Sequence, residues 1–472
     1  MLKKTKIVAT ISDINCDEKF LQQLFDAGMN VVRLNTAHQT IEQAKKVVDM
    51  IRNVSSRIAI LIDTKGPEIR TSSRGSEIEV EPGDTICVYG NPEGKSGNGN
   101  LFVSYTNICR DIPKGAYLLI DDGEIELRVV ENRGTHLECQ ATNSGVIKFR
   151  KSVNIPNTTI NLPSLTEKDI RFIEFAIENN LDFIAHSFVR TKQDVIDINA
   201  IIEKRNSLIK VIAKIENQQG VDNIDEILEH TYGIMVARGD LGIEIPFEKI
   251  PTIQRHLINK CIESKKPVII ATQMLHSMIE HPRPTRAEIN DIASAIYSRA
   301  DAIMLSGETA YGQYPVDAVK TMTSVAREVE KVLTADPDIT LTNINNKITA
   351  TLARNAVRAC RPLPIKAIVV DTMTGRTGRY LSAFRGTVPV YAMCYNPTIM
   401  RQLGLSFGVS ATYMNLTESR DSFLSDAINT LIKNNKVCPT DMVLVIGGSF
   451  GPNNGASFME ISEAEKLILD HR

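Results

Sequence analysis

Apolar residues along this chain fall into two alternating patterns: short β-branched runs, and stretches with an apolar residue every three or four positions. The first pattern reads as buried strand, the second as helix with one face against a core. From the N-terminus the order is KIVATI, then DEKFLQQLFDAG with Gly28 placed to end the helix, MNVVRLN, TIEQAKKVVDMIRNV and RIAILIDTKG. The alternation stops after Arg70. Residues 71 to about 156 hold short β-type runs (SEIEVEP, TICVYG, NLFVSY, AYLLIDD, EIELRVV, HLECQA) with turns such as GNPEGKSGNGN and no helical period. It resumes at Thr166 with TEKDIRFIEFAIENN, LDFIAHSFV, DVIDINAIIEKR, IKVIAKI, VDNIDEILEHT and YGIMVA. EKIPTIQRHLINKCIESK, PVIIATQML, RAEINDIASAIYSRA, DAIMLSGE and VDAVKTMTSVAREVEKVL follow.

Eight strand–helix units with one insertion after the third predict a (β/α)8 TIM barrel over residues 1–70 and 157–340. Residues 71–156 are expected to form an inserted small β-barrel lid domain. A C-terminal α/β domain is expected over 341–472, where KITATLARNAVRAC precedes the strands KAIVVDT, VPVYAMC, VSATYMN and DMVLVIGG.

Barrels of this kind carry their chemistry at the C-terminal strand ends. Arg33 and Asn35 close the second strand, Asp63 and Lys65 the third, and Ser187 the fourth. Lys214 with Glu216 closes the fifth, Arg238 with Asp240 the sixth, Thr272 the seventh, and Ser306 with Glu308 the eighth. Side chains two apart on a strand point the same way, so each charged pair is expected to face one region. One such pair reads as readily as a salt bridge. Repetition on successive strands favours a functional rim, because burying unpaired charge is expensive. Two carboxylates with few histidines nearby favour a hard cation, Mg²⁺ or Mn²⁺. Arg and Lys around them favour a phosphorylated, anionic substrate.

Composition narrows the remaining classes. At 43% hydrophobic and 23% charged residues the 472-residue chain has ample core for two or three domains. The net charge of −2 supplies no basic excess, so neither a nucleic-acid nor a membrane partner is expected. Eight cysteines without a CxxC pair read as thiols of a reducing cytosol. No signal peptide or bilayer-spanning run is apparent, and a cytoplasmic location is expected.

Seven blocks in order, MNVVRLNTAH, LIDTKGPEIRT, VIAKIEN, IMVARGDLGIEIP, IIATQMLHSMI, HPRPTRAEINDIA and IMLSGETAYGQYP, resemble the pyruvate kinase family. The resemblance covers residues 3 to 340 well and the C-terminal domain more loosely. It implies the glycolytic transfer of a phosphoryl group from phosphoenolpyruvate to ADP, giving pyruvate and ATP, in a homotetramer. It further implies that Glu216 and Asp240 hold Mg²⁺, that Lys214 and Arg33 meet the phosphoryl group, and that the N–H groups of Gly239 and Asp240 hold the substrate carboxylate. Thr272 is implied to stand beside the carbon that is protonated. Asn35, Thr36, Ala37, His38, Arg70 and Lys151 match nucleotide-contacting positions.

K⁺ is expected beside the phosphoryl site, on Asn35, Asp63 and Thr64, with Ala37 where the family has serine. Glu68 supports this: members with lysine there supply the charge themselves. Two further departures are TISDIN at the end of the first strand, which lacks the family's Gly-Pro turn, and Ser152 in place of a glycine. DTMTGRT resembles a phosphate loop for a sugar-phosphate effector, with Thr372, Thr374, Gly375, Arg376 and Thr377 between a strand and a helix start. It reads equally as an ordinary capped turn. GGSFGPNNGAS has no Arg, Lys or Trp for a second phosphate, so a bisphosphate is expected to activate weakly or not at all. Two rivals stay open: a metal-dependent lyase or aldolase, including one with a Schiff base on Lys214, and a non-catalytic protein on the same scaffold.

Overall fold

The computed structural model describes residues 3–14, 16–37, 39–335, 338–417, 419–448 and 455–468. Eight parallel strands close into a barrel: β1 (Lys6–Thr10), β2 (Val31–Asn35), β3 (Ala59–Asp63), β4 (Phe183–His186), β5 (Lys210–Ile215), β6 (Gly233–Ala237), β7 (Val268–Ala271) and β8 (Ala302–Leu305). Each pairs with its neighbours in sequence order, and β8 closes on β1. Alternation sorts their side chains. Val8, Val31, Leu61, Phe183, Ile212, Met235, Ile269 and Met304 fill the interior. Ile7, Val32, Ile62, Ile184, Val211, Val236, Ile270 and Ile303 face the surrounding helices.

Local signals set the helix limits. The helix Glu18–Ala27 ends on Gly28 at φ 118°, a left-handed conformation that suits a residue without Cβ. Thr40, Thr166 and Thr285 each open a helix with a reciprocal capping box.

The insertion holds a six-stranded sheet, in the order Val153–Asn154, Tyr117–Ile120, Ile125–Asn132, Leu137–Ala141, Thr85–Gly90, Asn100–Val103. A two-stranded ribbon, Ile78–Val80 with Gly145–Ile147, completes it. Its core, from Ile69 to Ile155, is separate from that of the barrel. The helix Ile108–Asp111 is one turn that no periodicity predicted; four residues are too few to show one.

C-terminal to the barrel, β9 (Ala367–Thr372), β10 (Val390–Cys394), β11 (Val409–Tyr413), β12 (Met442–Gly447) and β13 (Phe458–Glu463) form a sheet in the order β11-β10-β9-β12-β13. The edge strand β13, antiparallel to β12, escaped sequence reading because FMEISE is half-buried throughout and carries no continuous apolar run. This unit docks on the barrel floor through buried ions. Arg385 grips Asp301 at 2.6 and 2.8 Å, and Arg401 meets Asp182 at 2.6 Å. Among the described residues no helix is long and apolar enough to cross a membrane.

Candidate active site

The inward-facing rows of four neighbouring strands are apolar below and polar at the top. β2 runs Val31, Arg33, Asn35; β3 runs Ala59, Leu61, Asp63. The β4 row reaches Ser187 just past the strand, and the β5 row runs Ile212, Lys214, Glu216. In-register pairing brings these tops together, with Asn35 opposite Asp63 and Ala185 beside Asp63.

Asp63 lies at the centre. Its Oδ2 accepts from Arg33 Nε at 2.6 Å, and its Oδ1 lies 3.0 Å from Lys214 Nζ. Lys214 also reaches Glu216 Oε1 at 2.9 Å and donates to Ser187 Oγ at 2.7 Å. Ser187 Oγ in turn donates to the Thr64 carbonyl at 2.6 Å. Glu216 Oε2 accepts the Phe188 amide at 2.7 Å. The ammonium is therefore fixed by three side chains from three strand ends.

Three carboxylates share two cations here, and they share them unequally. Burial pushes Asp63 up, but Arg33 and Lys214 outweigh it and hold it below the ordinary carboxylate value. Burial also works against Lys214, yet Asp63 and Glu216 hold it well above the usual ammonium value. Glu216, unlike Asp63, is raised: burial and the Asp240 charge push it up against the pull of Lys214. Asp240 is raised for the same reason, with Asp122, Asp63 and Glu68 adding to burial. Both members of the Lys214–Glu216 pair are raised, which favours the charged ammonium and disfavours the charged carboxylate. This follows from the count, since Lys214 has several carboxylates and Glu216 only a share of one ammonium.

Arg238 and Asp240 do not form the expected strand-face pair. β6 ends at Ala237, and Arg238–Glu244 is a helix, so two residues turn the side chain by about 200° instead of returning it to the same face. Arg238 is directed to Asp291 at 2.7 Å and to the Thr272 carbonyl at 2.6 Å. Asp240 is left bordering a cleft of about 390 Å³ between lid and barrel, which Asp122 and Glu244 also line.

Thr272 takes a left-handed backbone, φ 69°, a strained choice for a β-branched residue. Its hydroxyl accepts the Gly239 amide at 2.9 Å and donates to the Ala271 carbonyl at 2.6 Å. The Gly239 amide is thus engaged, while that of Asp240 belongs to a first helical turn, whose N–H groups have no partner within the helix.

The nucleotide candidates separate into two groups. Asn35 Oδ1 accepts the Ala37 amide at 3.1 Å and Thr36 bonds the Asp63 carbonyl, so this turn adjoins the rim. His38 lies outside the described residues. Arg70 and Lys151 come together where the lid leaves the barrel, with Arg70 bridging to Ser152. Arg70 pairs with Glu68 at 2.7 Å and Lys151 with Asp121 at 2.9 Å. Ser152 donates to Asp122 at 2.8 Å. Of the departures, Ser12 bonds the Ala310 carbonyl at 2.6 Å.

In the C-terminal unit Thr372 and Thr377 are buried, Thr374 and Arg376 are exposed, and Gly375 has φ 75°. The loop GGSFGPNNGAS lies largely outside the described residues. Sequence reading gave Ser187 no role, although its parity with Phe183 and Ala185 points it inward. Lys168, which reaches the Ala37 carbonyl at 3.3 Å, came with no sequence signal, being 131 residues away.

Comparison with known proteins agrees with this architecture. The family description "Pyruvate kinase, barrel domain" matches residues 2–319, and "Pyruvate kinase, alpha/beta domain" matches 350–462. The chain is 45% identical over 478 residues to a pyruvate kinase of Borreliella burgdorferi, covering 99% of this chain and 98% of that protein. It is 42% identical to one of Staphylococcus aureus, covering 95% and 78%. A crystal structure of a pyruvate kinase from Cryptosporidium parvum superposes with a TM-score of 0.93 at 34% identity, covering 98% of this chain and 96% of that one. The chain belongs to the pyruvate kinase family of phosphotransferases.

Proposed function

We propose that the rim around Lys214 is where a phosphoryl group passes from phosphoenolpyruvate to ADP, giving pyruvate and ATP. The observation that carries this reading is the Lys214 ammonium, fixed by Asp63, Glu216 and Ser187 beside Arg33. Phosphoryl transfer spreads negative charge over oxygens and is catalysed mainly by positioning and electrostatics. Lys214 neutralises that charge and the enolate left behind, and Arg33 orients the phosphoryl group. A lysine held this firmly as ammonium is unsuited to Schiff-base chemistry, which needs the free amine.

Glu216 and Asp240 fit a divalent cation. They are hard oxygen donors, both pushed up by burial and short of positive charge. Bound there, Mg²⁺ or Mn²⁺ would neutralise substrate oxygens. The Asp240 amide, at the helix start, holds the substrate carboxylate. The Thr272 hydroxyl is committed to Ala271, so the proton for the methylene carbon arrives through water. Asn35, Thr36, Ala37 and His38 with Arg70 and Lys151 form the nucleotide side, and closing the lid excludes water.

K⁺ belongs to the reading on Asn35, Asp63 and Thr64, but the fit is tighter than for Mg²⁺. Asp63 already faces two cations, Thr64 Oγ1 accepts the Ser187 amide, and the Ala37 carbonyl takes Lys168. Glu68 is itself met by Arg70. A monovalent ion there competes with Lys168 for the Ala37 oxygen.

Separate hydrophobic cores support a division into barrel (1–70, 157–340), lid (71–156) and C-terminal domain (341–472). Cytoplasmic location and a homotetramer follow by resemblance. The test is stoichiometry: pyruvate and ATP should appear one for one, only with phosphoenolpyruvate, ADP and Mg²⁺ together. Pyruvate released without ATP would overturn the reading in favour of a lyase or phosphatase.

A further inference from the structure

Asp169 is fully buried, and among the described residues no cation stands within ion-pair distance of it. It is the third residue of the helix Glu167–Glu178, where a capping box accounts for one of its carboxylate oxygens. Oδ2 accepts the Thr166 amide at 3.0 Å and the Thr166 hydroxyl at 2.6 Å. Oδ1 has a different task. It accepts the Lys65 amide at 2.9 Å and that of Gly66 at 3.4 Å, 104 and 103 residues earlier in the chain. Both oxygens act as acceptors, so the group works as a carboxylate. Burying one without a counter-ion is expensive, and a helix cap needs only half of it.

The loop held by Oδ1 follows β3 and leads out towards the lid, and it is pressed against the turn after β4. The Thr64 amide and hydroxyl donate to the Ala185 carbonyl at 3.0 and 3.2 Å. The same hydroxyl accepts the Ser187 amide at 3.1 Å, and the Thr64 carbonyl accepts the Ser187 hydroxyl at 2.6 Å. Gly66 has φ 70°, and a Cβ there would lie 2.8 Å from both Ser187 Cβ and the Phe188 ring. Phe188 itself has φ 54°, a left-handed conformation that persists only where the surroundings impose it. This turn then delivers two bonds to the rim. Ser187 Oγ accepts from Lys214 Nζ at 2.7 Å, and the Phe188 amide donates to Glu216 Oε2 at 2.7 Å.

We propose, on the roles given above to Lys214 and Glu216, that Asp169 is a positioning residue for phosphoryl transfer. By pinning Lys65 and Gly66 it sets the turn at Ser187 and Phe188, and that turn aims the ammonium and the metal-binding carboxylate. Asp169 touches no reactant. Its effect arises because a displacement of about 1 Å in a reacting group can cost roughly a hundredfold in rate. Groups that orient a metal ligand from behind likewise carry about tenfold or more of the metal affinity. A helix cap alone would do neither, because the end of the helix does not depend on Oδ1.

The test compares Asp169→Ala with Thr166→Val, which removes the capping hydroxyl and leaves Oδ1 on the loop. Three quantities are read on folded protein: Mn²⁺ affinity by equilibrium dialysis without substrates, kcat and KM at saturating Mn²⁺, and Tm. Both variants should lose thermal stability. Asp169→Ala alone should bind Mn²⁺ about tenfold more weakly and lower kcat about a hundredfold. Its KM for phosphoenolpyruvate should change little, because the enolate charge that Lys214 meets is largest in the transition state. Thr166→Val should keep wild-type kcat and Mn²⁺ affinity. If Asp169→Ala fails to fold, Asp169→Asn keeps the shape but cannot accept on both sides, and should show the same pattern in reduced degree. Equal effects of the Asp169 and Thr166 substitutions per folded molecule, or wild-type kcat and Mn²⁺ affinity in the Asp169 variants, would overturn the proposal. A wild-type protein that makes no ATP would sink the functional reading instead, and Mn²⁺ affinity would then decide the role of Asp169.

Discussion

The barrel buries charge at both ends, and the two ends balance it differently. On the floor, Asp182 and Asp301 face three guanidiniums. Arg52 and Arg401 meet Asp182 at 3.1 and 2.6 Å, and Arg385 meets Asp301 with two parallel bonds. Backbone amides of Ile60, Val268 and Phe407 take further lone pairs. At the rim, among the described residues, Asp63 pairs with Arg33 and Lys214, Glu216 with Lys214 alone, and Asp240 with neither. Burial pushes Asp182 up just as it does Glu216, so burial is common to both ends. The difference lies in partner count. A floor with surplus cations and satisfied oxygens is complete as it stands, whereas a rim one positive charge short is set up for a ligand.

Breaking the rim should cost activity before stability. Glu216→Gln removes a carboxylate that burial already disfavours, so turnover should fall by several orders of magnitude with weakened Mg²⁺ binding. Its urea midpoint should stay near that of wild type. A collapse in stability would make Glu216 a structural ion like those of the floor.

Breaking the floor should do the reverse. Arg385→Ala strands Asp301 in a buried site and should cost about 3–5 kcal/mol, read as a lower urea midpoint. Turnover per folded molecule should persist. A selective loss of turnover would erase the distinction between the two ends.

The charge deficit can be probed without mutating either carboxylate. Replacing K⁺ by a tetraalkylammonium at matched ionic strength should slow turnover tenfold or more, and Glu68→Lys should restore it. Unchanged rates would mean that Lys168, on the Ala37 carbonyl, already provides the charge.

The smallest effect concerns His186, just below the rim and facing outward into the helical layer. Both its ring nitrogens are buried without a hydrogen-bond partner among the described residues, and burial pushes its pKa down to about 4. Its folded value lies below the unfolded one of about 6.5. Stability is therefore full above about pH 6.5 and is lost as the pH falls towards 4. His186→Leu should gain about 1–3 kcal/mol from the unpaired polar group at pH 7, and more at pH 5. An equal change at both pH values would show that protonation is not involved.

The two ends were not equally legible in the sequence. Strand alternation carried the rim: Arg33, Asp63 and Lys214 continue apolar inward rows, and a period of two is readable in a single strand. The same rule failed at Arg238, because it was applied across the point where β6 becomes a helix. The floor stayed hidden. Asp301 and Arg385 are 84 residues apart and Asp182 and Arg401 are 219 apart, and nothing local in either member of a pair marks its partner. Long-range charge balance, unlike periodicity, is a property of the folded chain.

The most direct test of the account is Lys214→Met, assayed for turnover, Mg²⁺ affinity and thermal stability on one preparation. The account predicts turnover reduced by several orders of magnitude with Mg²⁺ binding largely kept. A less stable protein whose folded fraction still turns over substrate would contradict it, and would make Lys214 a structural counter-ion to Asp63 and Glu216.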